Sequence, residues 1–140
     1  MLAIEEIKTV NVTNLPNLTI LTGDDTGQFE AMKSQFLRQI QYDAADLNMT
    51  YFDMKEAVYP DVEIDLVSLP FFSEEKIVIL DHFLDVTTAK KCYLTDDELK
   101  SFEQYLENPA DTTKLVIFAE GKLDSKRRIV KLIKRDGKVF

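Results

Sequence analysis

Three unbroken apolar runs, L-T-I-L (18–21), I-V-I-L (77–80) and L-V-I-F (115–118), stand apart along the chain, and M-T-Y-F-D (49–53) adds a fourth strand-like segment. Between them lie stretches with helical periodicity. Phe29, Met32, Phe36, Leu37 and Ile40 follow the spacing of one helical face. Further helices are expected around 60–69, from about 95 to 106 and from about 124 to 135, the last with Leu123, Ile129, Val130, Leu132 and Ile133 as its apolar set. Thr95 with Glu98 three places on forms a capping box at the start of the helix expected at 95–106. Residues 2–10, with Leu2, Ile4 and Ile7, read as a short amphipathic helix ended by the turn Asn14-Leu15-Pro16-Asn17, and Lys138-Val139-Phe140 as the start of one more strand. A strand that is apolar on both sides has no face for water, so helices must cover the sheet above and below. The expected fold is α/β: a three-layer, doubly wound parallel sheet in one domain over residues 1–140, read as the amino-terminal fragment of a longer chain.

Composition narrows the class. Of 140 residues 45% are hydrophobic, with nine Phe and five Tyr, enough to fill a core. The opening M-L-A-I-E-E-I-K-T-V carries acids where a secretory signal needs basic charge, and no apolar run reaches bilayer length, so the expected setting is cytoplasmic, with no membrane partner. Cys92 is the single cysteine, which excludes a disulfide framework and a cysteine-based metal site. Asn11, Asn17 and Asn48 begin N-x-T sequons, which are chance matches in a chain without a secretory signal. The net charge of −8 is unevenly spread: residues 1–121 hold 23 acids against 9 bases, and residues 122–140 hold 8 bases against 2 acids.

In a doubly wound sheet, ligands sit at the carboxyl ends of the strands, which draws notice to I-L-T-G-D-D-T-G-Q (20–28). A phosphate-binding loop needs G-x-x-x-x-G-K-[ST], with backbone N–H groups around the phosphates, a lysine on the terminal charge and a hydroxyl on magnesium. Here three residues separate Gly23 from Gly27, Gln28 stands in place of the lysine and Phe29 in place of the hydroxyl. Asp24 and Asp25 would repel an anion by on the order of a few kcal/mol at close range, and Asp25 or Thr26 fits better as the N-cap of the following helix. No nucleotide, metal or other cofactor is expected at this loop.

Asp24 and Asp25, together with Asp81 after the third strand, suggest a different chemistry: an acidic pocket that binds magnesium and accepts a phosphoryl group on Asp81, as in receiver domains. Such a domain expects Ser or Thr at the end of the next strand, where this chain has Ala119, so the plainer account is that Asp81 closes a buried strand. His82 has no nucleophile at readable spacing.

The segment V-E-I-D-L-V-S-L-P-F-F-S-E-E-K (62–76) is the most distinctive. Val62, Leu66 and Leu69 share one helical face, acids at 61, 63 and 65 suit the helix start, and Pro70 stops the helix. Phe71 and Phe72 follow at a turn, where adjacent side chains diverge. They either staple the helix to the sheet or form an apolar protrusion suited to a partner's pocket.

The ordered set LTILTGDDTGQFE, YFDM, DLVSLPFFSEEKIVILD and GKLDSKRRIVKLIKR resembles the amino-terminal domain of the delta subunit of bacterial DNA polymerase III, the clamp-loader wrench. The resemblance covers nearly the whole chain. It implies an ATPase-like (AAA+-like) α/β fold that has lost its phosphate loop and hydrolyses no ATP, with nucleotidyltransferase activity residing in other subunits of the holoenzyme. It implies a hydrophobic wedge, matched here by Leu69, Phe71 and Phe72 around Pro70, that grips the ring-shaped sliding clamp (the beta subunit) and helps to open it during DNA replication. Other clamp-loader subunits, through regions mostly absent from this chain, and DNA in the assembled complex are the remaining partners implied. In the basic segment, Lys126, Arg127, Arg128 and Lys131 are candidates for contact with DNA or an acidic partner, against the alternative of a solvated helix.

Overall fold

In the computed structural model, which describes residues 6–90 and 92–140, the apolar runs form one sheet. Its strands are β1 (Leu18–Gly23), β2 (Met49–Asp53), β3 (Lys76–Asp81), β4 (Thr113–Glu120) and β5 (Lys138–Val139), in the order β2-β3-β4-β1-β5. Every pairing is parallel, with Ile20 opposite Ile117, Ile79 opposite Val116 and Tyr51 opposite Ile79. The central strands are buried on both faces, as their continuous apolar sequence demands.

Two cores follow from the two faces. Helix α1 (Thr26–Gln39) lays Phe29, Met32 and Phe36 against Leu21, Ile79, Val116 and Phe118, and the Phe36 ring meets that of Phe118 edge-on at 6.0 Å. The opposite face is covered by α2 (Tyr59–Val67), α3 (Asp96–Glu107) and α4 (Arg128–Asp136), whose Val62, Leu66, Phe102, Ile129, Val130 and Ile133 pack on Ile20, Val78, Leu80 and Ile117. The architecture is therefore the expected three-layer, doubly wound α/β fold.

Local chemistry sets most of the boundaries. Asp25 caps α1 by accepting the Gln28 N–H at 2.9 Å. At α3 both halves of the Thr95–Glu98 capping box are formed. Two boundaries depart from expectation. Helix α2 ends at Val67, so Leu69 leaves the buried face of Val62 and Leu66 and stands in solvent, 78% exposed. Pro70 disfavours helical geometry at the preceding residue, and the helix stops before it. Helix α4 begins at Arg128 instead of 124, because the Asp124 carboxylate accepts from the Lys126 N–H and holds 124–127 as a turn. Leu123 still packs on the core from outside the helix. The amphipathic helix expected at 2–10 falls partly outside the described residues, including Leu2 and Ile4, while Ile7 is fully buried.

Gly137, between α4 and β5, is set by a close approach. A Cβ there would lie 2.7 Å from the Ile133 carbonyl oxygen and 2.9 Å from Leu18 Cγ. Since β5 extends the sheet directly after this residue, Gly137→Ala is expected to force α4 away from β1 and cost about 1–3 kcal/mol, the range for overpacking, read as a shift in urea unfolding with unchanged m-value.

Candidate functional site

The carboxyl end of the sheet, where a ligand would sit, is filled by the protein's own groups. The Asp25 carboxylate occupies the amino terminus of α1, and Phe29, standing where a magnesium-binding hydroxyl would be, is buried in the core. Asp81 is buried and fully engaged: Lys33 Nζ lies 3.0 Å from Oδ2, Tyr51 Oη donates to the same oxygen, and the His82 N–H donates to Oδ1 at 2.8 Å. Lys33 also sits near the faces of the Phe29 and Phe118 rings, 6.0 and 5.8 Å from their centroids. Burial, reinforced by the hydrogen bond to Asp81, raises the Tyr51 pKa far above its ordinary value, so this hydroxyl stays a donor. Asp53 pairs with His82 Nδ1 at 3.0 Å. Burial alone would raise the Asp53 pKa, but hydrogen bonds from the Lys55 N–H and from His82 bring it below the usual carboxylate value.

The three acids considered as a phosphoacceptor site are not brought together. Asp24 is exposed, 4.0 Å from Lys122, Asp25 is a helix cap and Asp81 is neutralised by Lys33. Among the described residues no group of three or more His, Cys, Asp or Glu side chains could hold a metal ion.

The amino end of the sheet has the opposite character. Between α2 and β3, Leu69, Phe71 and Phe72 are 78%, 58% and 107% exposed, so both aromatics face water and neither staples the helix. Ile64 and Val67 on α2 are exposed as well, which extends the apolar surface along the outer side of the helix. Sequence reasoning missed this pair, although Ile64 lies two places from each of the buried Val62 and Leu66 and so off their face.

The loop that carries the aromatics is anchored at several points. Lys76, nearly buried at the start of β3, donates its Nζ to the Asp65 carbonyl in the last turn of α2, where positive charge suits the helix dipole. The Ser68 hydroxyl donates to the Ile64 carbonyl at 2.6 Å. From the start of β2, the Asn48 carboxamide accepts the Phe71 N–H at 2.6 Å and donates to the Phe71 carbonyl at 2.7 Å. Phe72 has a φ of 48°, in the left-handed region rarely adopted by bulky residues.

The basic segment divides. Helix α4 buries Ile129, Val130, Leu132 and Ile133, leaving Arg128, Lys131, Lys134 and Arg135 on its outer side, whereas Lys126 and Arg127 belong to the preceding turn. Arg127 pairs with Asp124 at 3.3 Å and Arg128 with Glu107, while Lys126 and Lys131 are exposed and form no ion pair with the described residues.

The family model for the DNA polymerase III delta subunit matches residues 20–140. This chain belongs to that family. It is 27% identical over 97 residues to DNA polymerase III subunit delta of Bacillus subtilis, a match covering 69% of this chain and 28% of the relative. Among solved structures it is similar to the Bacillus subtilis DNA clamp loader delta protein, with a TM-score of 0.76 and 22% identity over 99% of this chain and 40% of the other. It also shares its fold with a DNA polymerase III gamma subunit-related protein from Thermotoga maritima, at a TM-score of 0.57 and 14% identity over 99% of this chain and 45% of the other. The delta-family chain thus spans less than half the length of these relatives. No helix among its described residues is long and apolar enough to cross a membrane.

In this member of the delta family, the carboxyl-end cluster ties α1 to β2 and β3 through Lys33, Tyr51 and Asp81. Asp81→Ala leaves the Lys33 ammonium with only the half-exposed Glu30 carboxylate, 3.7 Å away, and a loss of about 3 kcal/mol is expected, the lower end of the range for breaking a buried pair by removing one partner. Urea unfolding checks the loss. Incubation of the unaltered chain with acetyl phosphate and magnesium is expected to add no phosphoryl group by intact-mass measurement.

Proposed function

We propose that this domain grips the ring-shaped sliding clamp during DNA replication and helps to open it, using Leu69, Phe71 and Phe72 as a hydrophobic wedge and hydrolysing no ATP itself. The observation that carries the reading is the exposure of two adjacent aromatic rings and a leucine on a loop anchored at several points, in a chain of the delta family. Large apolar groups held in water have no role in this domain's own core, but each contributes about 1.5–3 kcal/mol when it fills a pocket. A wedge of this kind opens a ring by binding the strained, open form better than the closed one, so the work on the clamp requires differential affinity and no bond chemistry. The filled carboxyl end of the sheet supports a domain without nucleotide turnover, leaving ATP to other loader subunits.

Within the assembled loader, whose other subunits contact regions mostly outside this chain, the outer side of α4 and the preceding turn face DNA or an acidic partner through Lys126, Arg127, Arg128 and Lys131. Lys126 and Lys131, having no local counter-ion, contribute most. The setting is the cytoplasm, and no cofactor is required.

Titration of the cognate sliding clamp with the chain and with Phe71→Ala/Phe72→Ala tests the wedge. Loss of two buried aromatics at about 1.5–3 kcal/mol each predicts affinity at least a hundredfold lower, while exposed positions leave unfolding stability within about 0.5 kcal/mol. Equal binding by both would sink the site. For the basic face, Lys126→Glu/Lys131→Glu in a reconstituted loader is expected to flatten the dependence of log K on log salt for primed DNA by roughly 2, near 0.9 per phosphate contact. An unchanged slope would remove DNA as the partner of both lysines.

A further inference from the structure

We propose that Asn48 is a positioning residue for the clamp-binding wedge, a role that rests on the reading of Leu69, Phe71 and Phe72 given above. An exposed apolar loop has no core to fix its shape, and ordering it on binding would weaken the complex. Asn48 supplies the order in advance. Its side-chain carboxamide pairs with both backbone groups of Phe71, at 2.6 Å to the N–H and 2.7 Å to the carbonyl, as a neighbouring strand would.

The side chain does this from a fixed base. The Asn48 N–H donates to Asp46 Oδ1 at 2.8 Å, and its carbonyl accepts the Ile77 N–H at 2.8 Å, so the residue is stitched to the start of β3. The rigidity of the sheet therefore reaches Phe71 through one side chain. Immediately beyond it, Phe72 adopts its left-handed conformation and projects its ring fully into solvent. A bulky residue holds that backbone shape only where its surroundings impose it, and the two hydrogen bonds at Phe71 are the constraint next to it.

The residue type is specific to the task. An amide offers a donor and an acceptor in one plane. A carboxylate of the same size lacks the donor and places negative charge against the Phe71 carbonyl, and glutamine is one methylene longer. Asn48→Ala removes both bonds, whereas Asn48→Asp preserves volume and the acceptor for the Phe71 N–H.

The test uses the 140-residue chain with each of these substitutions, and Phe71→Ala/Phe72→Ala as reference. Clamp affinity and association rate, amide hydrogen exchange at Phe71 and thermal unfolding are measured on all of them. Loss of the held conformation lowers the binding-competent fraction, so both Asn48 variants are expected to bind the clamp on the order of tenfold more weakly. The loss should lie mainly in the association rate, with nearly unchanged unfolding, and with faster Phe71 exchange in Asn48→Ala, where the acceptor of its N–H is gone. Asn48→Asp guards against the alanine variant failing to fold. Wild-type affinity in both Asn48 variants, with binding lost in the Phe71→Ala/Phe72→Ala reference, would overturn the positioning role and leave the wedge standing. Wild-type affinity in the reference itself would remove the wedge, and the role of Asn48 with it.

Discussion

Burial of the central strands on both faces is the constraint from which the rest of the molecule follows. Strands β3 and β4 have no edge or face to spare for water, so helices must occupy both sides, and every connection is forced to one end of the sheet or the other. The loops at those two ends are where side chains are freed from packing on the sheet. At the carboxyl end the chain places a helix-capping carboxylate and a neutralised aspartate; at the amino end it places exposed phenylalanines. The two ends differ in what they leave unsatisfied. Hydrogen-bonding and charge are satisfied at the first, while apolar surface stays in water at the second.

The carboxyl end also illustrates how a ligand site can be exchanged for internal contacts. An anion at the amino terminus of α1 would compete with Asp25, whose side chain already takes the Gln28 N–H. A metal near Asp81 would compete with the Lys33 ammonium, 3.0 Å from the same oxygen to which Tyr51 donates. Burying a carboxylate with a lysine contributes less stability than well-packed hydrophobic groups, yet removing one partner is costly. Asp81 thus has a structural role at the sequence position where a ligand-binding carboxylate would sit.

The fold was largely legible because its signals are local. Apolar runs, one-face helical spacing and a capping box each lie within a few residues, and they located β1, β3, β4, α1 and α3. Boundaries failed where a single side chain outweighed periodicity: Asp124 held a turn where the apolar set suggested helix, and the helix before Pro70 released Leu69 from the face it shares by spacing with Val62 and Leu66. Leu69, Phe71 and Phe72 stood out by their order along the chain, but their exposure could not be read from it. Two adjacent phenylalanines are as consistent with a staple as with a protrusion, and the contact from Asn48, 23 positions away, has no signal in the sequence.

That separation in sequence bears on how the proposed wedge would work. Its apolar side chains would carry the contact surface, while the loop is held from three places: Lys76 of β3 on the last turn of α2, the Ser68 hydroxyl on the Ile64 carbonyl, and Asn48 just before β2. Lys76 opens β3, and Asn48 immediately precedes its neighbour β2 and accepts the Ile77 N–H of β3. In the proposed activity a force on the wedge would pass to the sheet through these bonds instead of being absorbed by loop motion. A domain that biases a closed ring toward an open form must keep the strain in its partner, and a soft loop would relax before the ring did. Stiffness at the base of the wedge is as much a requirement of the proposed activity as hydrophobicity at its tip.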